Sequence, residues 1–352
     1  MKLFNWINNT RTVDQKTITI FYMVILALFS FLIAGYRFSL CPPYITFEDF
    51  LKQNYSKPFV NRALIVWIAK LIVKYSSVSS KYIFFILEFA ALILSGFYFS
   101  KYINIFIKNK NISRILSFSL YFIIPFELIL PRYIPLWYPY DTYSLLFFIC
   151  GLILIHNRNF RWFYPLFIIA TFNRETSCFL TVVMLFVWWK RMPNKTLLLH
   201  LSVQFIIWVT IKLFLNLIFA NQPGSQFSDQ LFYNLNFFST VYFSVTTSWA
   251  IKLPSKIESI FRLVYILGNF GFIYMLIIIF WQKLDNIFLR RATLAVIPFY
   301  LSMLYVGLIY EYRIFGEIIP LVLMPALYIL VKIIKEMKED NNRIDFDTNK
   351  LK

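Results

Sequence analysis

The sequence predicts an all-α, polytopic membrane helix bundle, and three observations carry that reading. Of its 352 residues, 59% are hydrophobic and only 15% are charged, against roughly 45–50% and about 25% in soluble domains. Apolar runs close to the ~20 residues that cross a hydrocarbon core recur along the chain. The 35 Lys and Arg residues fall in short clusters between those runs, as the loops on one side of a membrane require. The net charge of +18 therefore belongs to topology, and no nucleic-acid module accompanies it.

Eight full spans are predicted, over about 17–36, 82–100, 112–130, 140–157, 196–219, 258–281, 288–310 and 315–336. The first run is longer than a signal-peptide core of about 7–15 residues and has no small-residue cleavage site, so it reads as a retained helix. The segment 61–75 is apolar but short, with Lys70 and Lys74 one turn apart on a single stripe. That pattern suits a helix lying in the interface plane, within the first external loop. The segment 160–189 is apolar but broken by Asn173-Arg174-Glu175-Thr176, which predicts a hairpin of two short helices meeting at a polar turn. Irregular backbone at membrane depth needs shelter by protein or a watery cavity.

Placing both termini in the cytoplasm puts 21 of the 35 Lys and Arg in 1–16, 101–114, 157–162, 190–195, 282–291 and 332–352, with at least two in each. The chain then forms one transmembrane domain over 1–336, with external loops at about 37–81 and 220–257. A charged cytoplasmic tail follows over 337–352. Cys41, Cys150 and Cys178 are isolated, without the spacing of a disulfide framework or a zinc site. His156 and His200 likewise lack a partner at metal-ligand spacing.

A charge at a helix centre costs about 2.5–3.5 kcal/mol on insertion scales, so such residues are functional candidates. Asp141, Arg174, Glu175, Glu311, Arg313 and Glu317 sit at the ends or breaks of apolar segments, and this topology brings them to one side. Their convergence predicts a polar chamber opening away from the cytosol. Glu88, Glu127 and Lys212 lie within spans, in the outer halves. Glu48 and Asp49 could supply a general base for an acceptor hydroxyl, or simply cap a helix behind Thr46. Arg62 either meets an anionic partner or snorkels at the interface. The planar fork of Arg174 suits a phosphate, and Asp141 or Glu175 is its structural alternative. Arg313 and Glu317, four apart, pair on one face if the stretch is α-helical. Asp141 could cap a helix starting at Thr142. Trp137, Tyr138 and Tyr140 read as an interfacial belt, with sugar stacking as the alternative.

A helix followed by a large external loop carrying Glu48-Asp49, the segment Pro58-Phe59-Val60-Asn61-Arg62, and the broken helices around Asn173-Arg174-Glu175-Thr176 together resemble the GT-C superfamily. These are polytopic glycosyltransferases with lipid-linked sugar donors, and the resemblance covers about the first two-thirds of the chain. It implies an inverting enzyme of the bacterial cytoplasmic membrane, moving a sugar from a polyprenyl-phosphate-linked donor to a glycan or lipid-linked acceptor of the cell envelope. By that likeness Asp49, with Glu48 next, acts as catalytic base. Arg174, with Arg313 and Arg62, holds the donor phosphate, while Asp141, Glu175, Glu311 and Glu317 orient those arginines or the sugar. The chain departs from better-known members in having no soluble external domain and no Asp-x-Asp pair in its external segments, so no metal is called for. The rival readings are an O-antigen or capsule-type polymerase or ligase, a lipid or solute transporter, and an assembly protein whose ion pairs only fix helix packing.

Overall fold

A computed structural model describes residues 15–41, 46–129, 137–225, 229–239, 268–309 and 311–350, without the side chains of 236–239 and 340–350. The expected features at 42–45, 131–136 and 240–257, the first part of the 258–281 span, and Tyr310 lie outside those residues. Among the described residues every regular element is helical. The helices are α1 (Gln15–Ser39), α2 (Phe47–Lys52), α3 (Leu64–Tyr75), α4 (Ser80–Ile107), α5 (Lys110–Ser117), α6 (Ser119–Leu128), α7 (Asp141–His156) and α8 (Phe160–Asn173). They continue with α9 (Phe179–Trp188), α10 (Asn194–Ile218), α11 (Leu231–Ser239), α12 (Ile273–Ile279), α13 (Ile287–Leu294), α14 (Val296–Val306) and α15 (Ile319–Lys350). Short 3₁₀ turns at Phe59–Asn61, Glu175–Cys178, Asn269–Phe272 and Tyr312–Ile318 interrupt the regular elements.

Five helical stretches are long and apolar enough to cross a membrane, namely Gln15–Ser39, Ser80–Ile107, Asn194–Ile218, Ile287–Val306 and Tyr312–Glu339. Shorter apolar helices run over Asp141–His156, Glu175–Trp188 and Asn269–Ile279. The chain is thus a helical membrane protein. The apolar window of Tyr312–Glu339 is 89% buried within the protein, against 28% in α1 and 22% in α10. The C-terminal helix is therefore the axis of the bundle, while α1 and α10 turn most of their apolar surface outward. Phe205, Ile206, Leu213 and Leu217 on α10 are exposed, as a lipid-facing wall requires. The charged stretch after Lys335, expected as a solvated tail, continues α15 as helix through Lys350.

Side-chain contacts fix two distinct ends of the bundle. At one end Arg114 donates to Thr19 Oγ1 at 2.9 Å, Arg158 covers the Trp188 ring at 4.1 Å, and Lys332 pairs with Asp285 at 2.7 Å. At the other end the final turn of α1, the first half of α4 and the first turn of α7 meet through charged groups. Between them lies a continuous apolar core. The expected span 112–130 is divided, since α5 gives way to α6 at Phe118 and Pro125 lies inside α6.

Where α1 and α4 approach, α6 locks them. Tyr121 Oη donates to Leu92 O at 2.8 Å and lies 2.9 Å from Ser30 Oγ, while Tyr22 donates to Gly96 O at 3.3 Å. Small residues permit such approach between membrane helices. A Cβ on Gly96 would collide with Tyr121 Oη and stand 2.9 Å from Leu26 Cδ1. Overpacking of this kind costs about 1–3 kcal/mol, so Gly96→Ala should lower the thermal unfolding midpoint in detergent, whereas Gly35→Ala, with nothing within 4 Å, should leave it in place.

Candidate functional site

Five chain segments deliver charge to one end of the bundle, and each arrives by a different local device. Arg37 rides on the last turns of α1, and Glu88 lies two turns into α4. Asp141 opens α7, where Tyr140 occupies the N-cap position. Arg174 and Glu175 stand where α8 ends: Arg174 is extended (φ −161°, ψ 139°), and a 3₁₀ turn follows before α9. Glu317 belongs to the 3₁₀ segment Tyr312–Ile318 that precedes α15. The predicted hairpin and its polar break are therefore present.

These groups form a dry ionic chain. Arg37 pairs with Glu88 through Nη1 and approaches Asp141 Oδ2 at 3.6 Å through Nη2. Arg174 Nη1 lies 3.4 Å from Asp141 Oδ1 and 3.2 Å from Glu317 Oε1. Thr142 donates to Glu88 Oε2 at 3.0 Å, and Thr176 donates to Glu317. Every charged member is buried. Burial at this depth demands pairing, because an isolated ion in an apolar setting is far too costly to persist. Two cations here serve three carboxylates. Beside Arg174 and Glu317 lies a cavity of about 10 Å³, bordered by Ser144 and Ser177 on its polar side and by Phe147 and Leu180 on the other. That is room for one water, and Arg174 Nε has no protein partner.

A second layer adjoins the first through the sequence neighbours Tyr140-Asp141 and Arg174-Glu175. Arg62 forks onto Glu175, with Nη2 to Oε1 at 2.6 Å and Nε to Oε2 at 3.2 Å, and its Nη1 donates to Tyr140 Oη at 3.0 Å. Its guanidinium also covers the Tyr140 ring at 4.7 Å. Phe59, Tyr138 and Tyr140 stack in series, with centroid separations of 5.2 Å at each step. Arg313 sits over Tyr138 at 4.4 Å and pairs with Glu311 at 2.7 Å. Its Nε and Nη1 have no partner among the described residues, and the residue is buried, at 8% exposure. Asn173 Nδ2 ties the hairpin to Tyr140 O at 3.0 Å and Ser144 Oγ at 2.9 Å. Trp208 of α10 donates to Glu175 O at 2.8 Å, and buried Lys212, one turn on, faces Glu175 as a second cation.

The structure thus gathers Arg62, Asp141, Arg174, Glu175, Glu311, Arg313 and Glu317. It does not bond Glu48 or Asp49 to them. Asp49 is the N3 residue of a capping box on α2: its Oδ2 accepts from Thr46 N at 2.8 Å and Thr46 Oγ1 at 2.7 Å. Glu48 accepts from Ser80 Oγ at 2.6 Å. The capping alternative is the geometry found. The Arg313–Glu317 pair expected from helical spacing is also absent. Residues 312–318 are 3₁₀, at three residues per turn, so Arg313 turns to Glu311 and Glu317 to Arg174. Asp141 lies inside the first turn of α7 rather than at its cap. The Arg174–Asp141 contact expected as the structural alternative is present.

Arg37, Glu88, Thr142 and Tyr140 join the site without having been singled out for it. The signal for Arg37 was available, since it is a lone guanidinium at the end of an apolar helix, as Arg174 is. Among the described residues no group of three or more His, Cys, Asp or Glu could hold a metal ion. The chain matches no protein-family model, no curated protein and no solved structure.

Removing one member of a buried pair leaves the other charge uncompensated, at about 3–5 kcal/mol. Arg37→Ala should therefore lower the unfolding midpoint strongly, and adding Glu88→Gln to it should recover part of the loss. Thermal scans of both variants in one detergent test this. A second expectation concerns pH. The Thr46 hydroxyl and then the Thr46 amide, donating to the charged form, hold the Asp49 carboxyl below the usual aspartate range. A depressed acid contributes its stability fully above the unfolded-chain value of about 3.9 and loses it as pH falls through the lower folded value. Amide protection over 46–50 should drop in that acid window, and Asp49→Asn should remove the dependence.

Proposed function

We propose that this protein is a membrane glycosyltransferase of GT-C type, moving a sugar from a polyprenyl-phosphate-linked donor to a cell-envelope acceptor. In this reading the bundle has eight full spans plus the 160–189 hairpin and sits in a bacterial cytoplasmic membrane. The basic end, with Arg114, Arg158, Arg290 and Lys332, faces the cytosol together with both termini, as the positive-inside rule asks. The ionic site faces outward.

The observation that carries the proposal is Arg313. Its guanidinium is buried and oriented by Glu311 and the Tyr138 ring, yet two of its nitrogens have no acceptor among the described residues. Arg37, Arg114 and Arg174 each leave one buried nitrogen without a partner among the described residues, whereas Arg313 leaves two, which calls for an explanation. An anionic oxygen supplies one, because a guanidinium offers a planar fork to phosphate. Arg62, Glu175 and Lys212 would form the adjoining wall. Arg174, fixed between Asp141 and Glu317, would hold that wall in register, with Glu311 doing the same for Arg313.

The chemistry would be an inverting displacement. The acceptor oxygen forms a bond to the anomeric carbon, and the bond from that carbon to the donor phosphate oxygen breaks. The electron pair leaves with the polyprenyl phosphate, and the hydroxyl proton passes to a carboxylate. Asp49, half-exposed at the start of α2, is the proposed base, with Glu48 beside it; acting so requires Asp49 to yield its contacts with Thr46. Arg313 would stabilise the charge developing on the leaving phosphate.

The test is transfer by the purified protein in nanodiscs, supplied with a panel of polyprenyl-phosphate sugars together with a bacterial envelope glycan and lipid extract as acceptor, and read as release of polyprenyl phosphate. Arg313→Ala should lower turnover by about 10²–10³-fold, the usual loss for one such donor, and Arg313→Lys should restore little of it. Full turnover in Arg313→Ala, or no release from any donor, overturns the proposal.

A further inference from the structure

A second polar cluster lies in the bundle and takes no part in the ionic chain. Glu127 of α6 is fully buried, and its Oε1 accepts the Phe270 amide at 2.6 Å. Its Oε2 has no partner. The residue before Phe270, Asn269, is 1% exposed; its Nδ2 donates to Tyr300 Oη at 2.6 Å, and its Oδ1 has no partner either. With the Asn269 amide placed so that Nδ2 meets Tyr300, two buried acceptor oxygens on side chains joined through the Asn269–Phe270 backbone both lack a donor among the described residues.

No cation among the described residues answers them. Elements packed on α6 bring charged groups that are engaged elsewhere: Glu88 of α4 is with Arg37, Arg114 of α5 with Thr19, Arg313 with Glu311, and Glu317 with Arg174. The other titratable groups around the cluster are phenols. Tyr300 of α14 lies within electrostatic reach of Glu127, Tyr274 of α12 and Tyr312, and Tyr121 on α6 itself is bonded to Ser30 and Leu92. A metal ion asks for a cage of about six oxygens, and this cluster offers the side-chain oxygens of Glu127, Asn269 and Tyr300. A single proton asks for far less. A carboxylic acid has one O–H donor besides its acceptor capacity, so protonation of Oε2 turns one orphan into a donor and provides for the other.

We propose that Glu127 and Asn269 form a proton-binding site, in which Glu127 Oε2 carries the proton and Asn269 Oδ1 receives its hydrogen bond. The reaction is the addition of one proton to the carboxylate and nothing else. The site has a mechanical consequence. Phe270 and Phe272, at φ of 54° and 61°, occupy the left-handed region that bulky residues avoid, and Gly271 packs against the Phe126 ring beside Glu127. The Glu127 carboxyl thus anchors a strained turn at the head of α12. Tyr300 in turn stacks on Phe315 at 4.3 Å, and Phe315 lies in the segment that carries Arg313 and Glu317. Tyr300 thus touches both Asn269 and that segment. The assignment is independent of glycosyl transfer.

The experiment uses the full chain in nanodiscs. The infrared spectrum at neutral pH should contain the carbonyl band of a protonated carboxylic acid, and Glu127→Gln should delete it. Asn269→Ala should move that band, because the acid loses its acceptor. The folded form binds a proton that the unfolded chain releases, so stability should fall as pH rises. The unfolding midpoint of the unaltered protein should decline as pH rises above the unfolded glutamate value of about 4.3, and that of Glu127→Gln, whose amide copies the neutral acid, should decline less. An unchanged infrared spectrum in Glu127→Gln overturns the proposal, as does a band that Asn269→Ala leaves in place. A midpoint raised by NaCl or KCl at constant ionic strength and fixed pH, and lost in Glu127→Gln, overturns it in favour of a metal ion.

Discussion

The architecture turns on the obligation of buried charge to find a partner. Arg37, Glu88, Asp141, Arg174 and Glu317 come from five separate segments, and all five are buried. Once α1 ends at a guanidinium, α4 must bring Glu88 to it and α7 must begin beside both. Asp141 then couples this group to Arg174, and Arg174 to Glu317. An apolar seam between membrane helices allows sliding, because lipid is as apolar as the seam and offers no preference between registers. An ionic chain fixes the register, since a shift of one residue would strand a charge. The ionic chain therefore sets relative height, and the aromatic and aliphatic core beneath it supplies the close packing.

Backbone irregularity is what makes that chain possible. Arg174 is extended rather than helical, which turns its side chain from the α8 surface toward Asp141, and the following 3₁₀ turn places Thr176 on Glu317. The Tyr312–Ile318 segment does the same for Arg313 and Glu317, aiming one at Glu311 and the other at Arg174. A straight α-helix through 312–318 would have put Arg313 and Glu317 on one stripe. Breaks of this kind survive at membrane depth because the protein encloses them, as Asn173 does by bonding across to Tyr140 and Ser144.

Much of this was legible in the sequence because polarity inside apolar runs is conspicuous. The break at 173–176, the short amphipathic α3 and the cluster of charges at segment ends all follow from composition read locally. Partner choice was not legible, because it depends on helix type and on which helices are neighbours. Helical spacing paired Arg313 with Glu317, and the tighter 3₁₀ turn separated them. Arg37 was passed over because its helix resembles an ordinary first span, and only its contact with Glu88 and Asp141 gives it a role. The adjacent carboxylates Glu48 and Asp49 illustrate the converse: a pattern that suits catalysis also suits a helix start, and the Thr46 capping box is the local geometry found.

The distribution of charge between the two layers bears on where an anion would settle. The inner chain has Arg37 and Arg174 against Glu88, Asp141 and Glu317, one carboxylate in excess. The adjoining layer has Arg62, Arg313 and Lys212 against Glu175 and Glu311, one cation in excess. Taken together the formal charges of the ten groups balance. An anionic ligand entering the inner chain would add to an existing surplus of negative charge. Entering beside Arg313, it meets the surplus cation and the two unpartnered nitrogens in one place. The polarity of the site is thus built in, and the inner chain supplies the counter-charge for the surplus cation of the layer beside it.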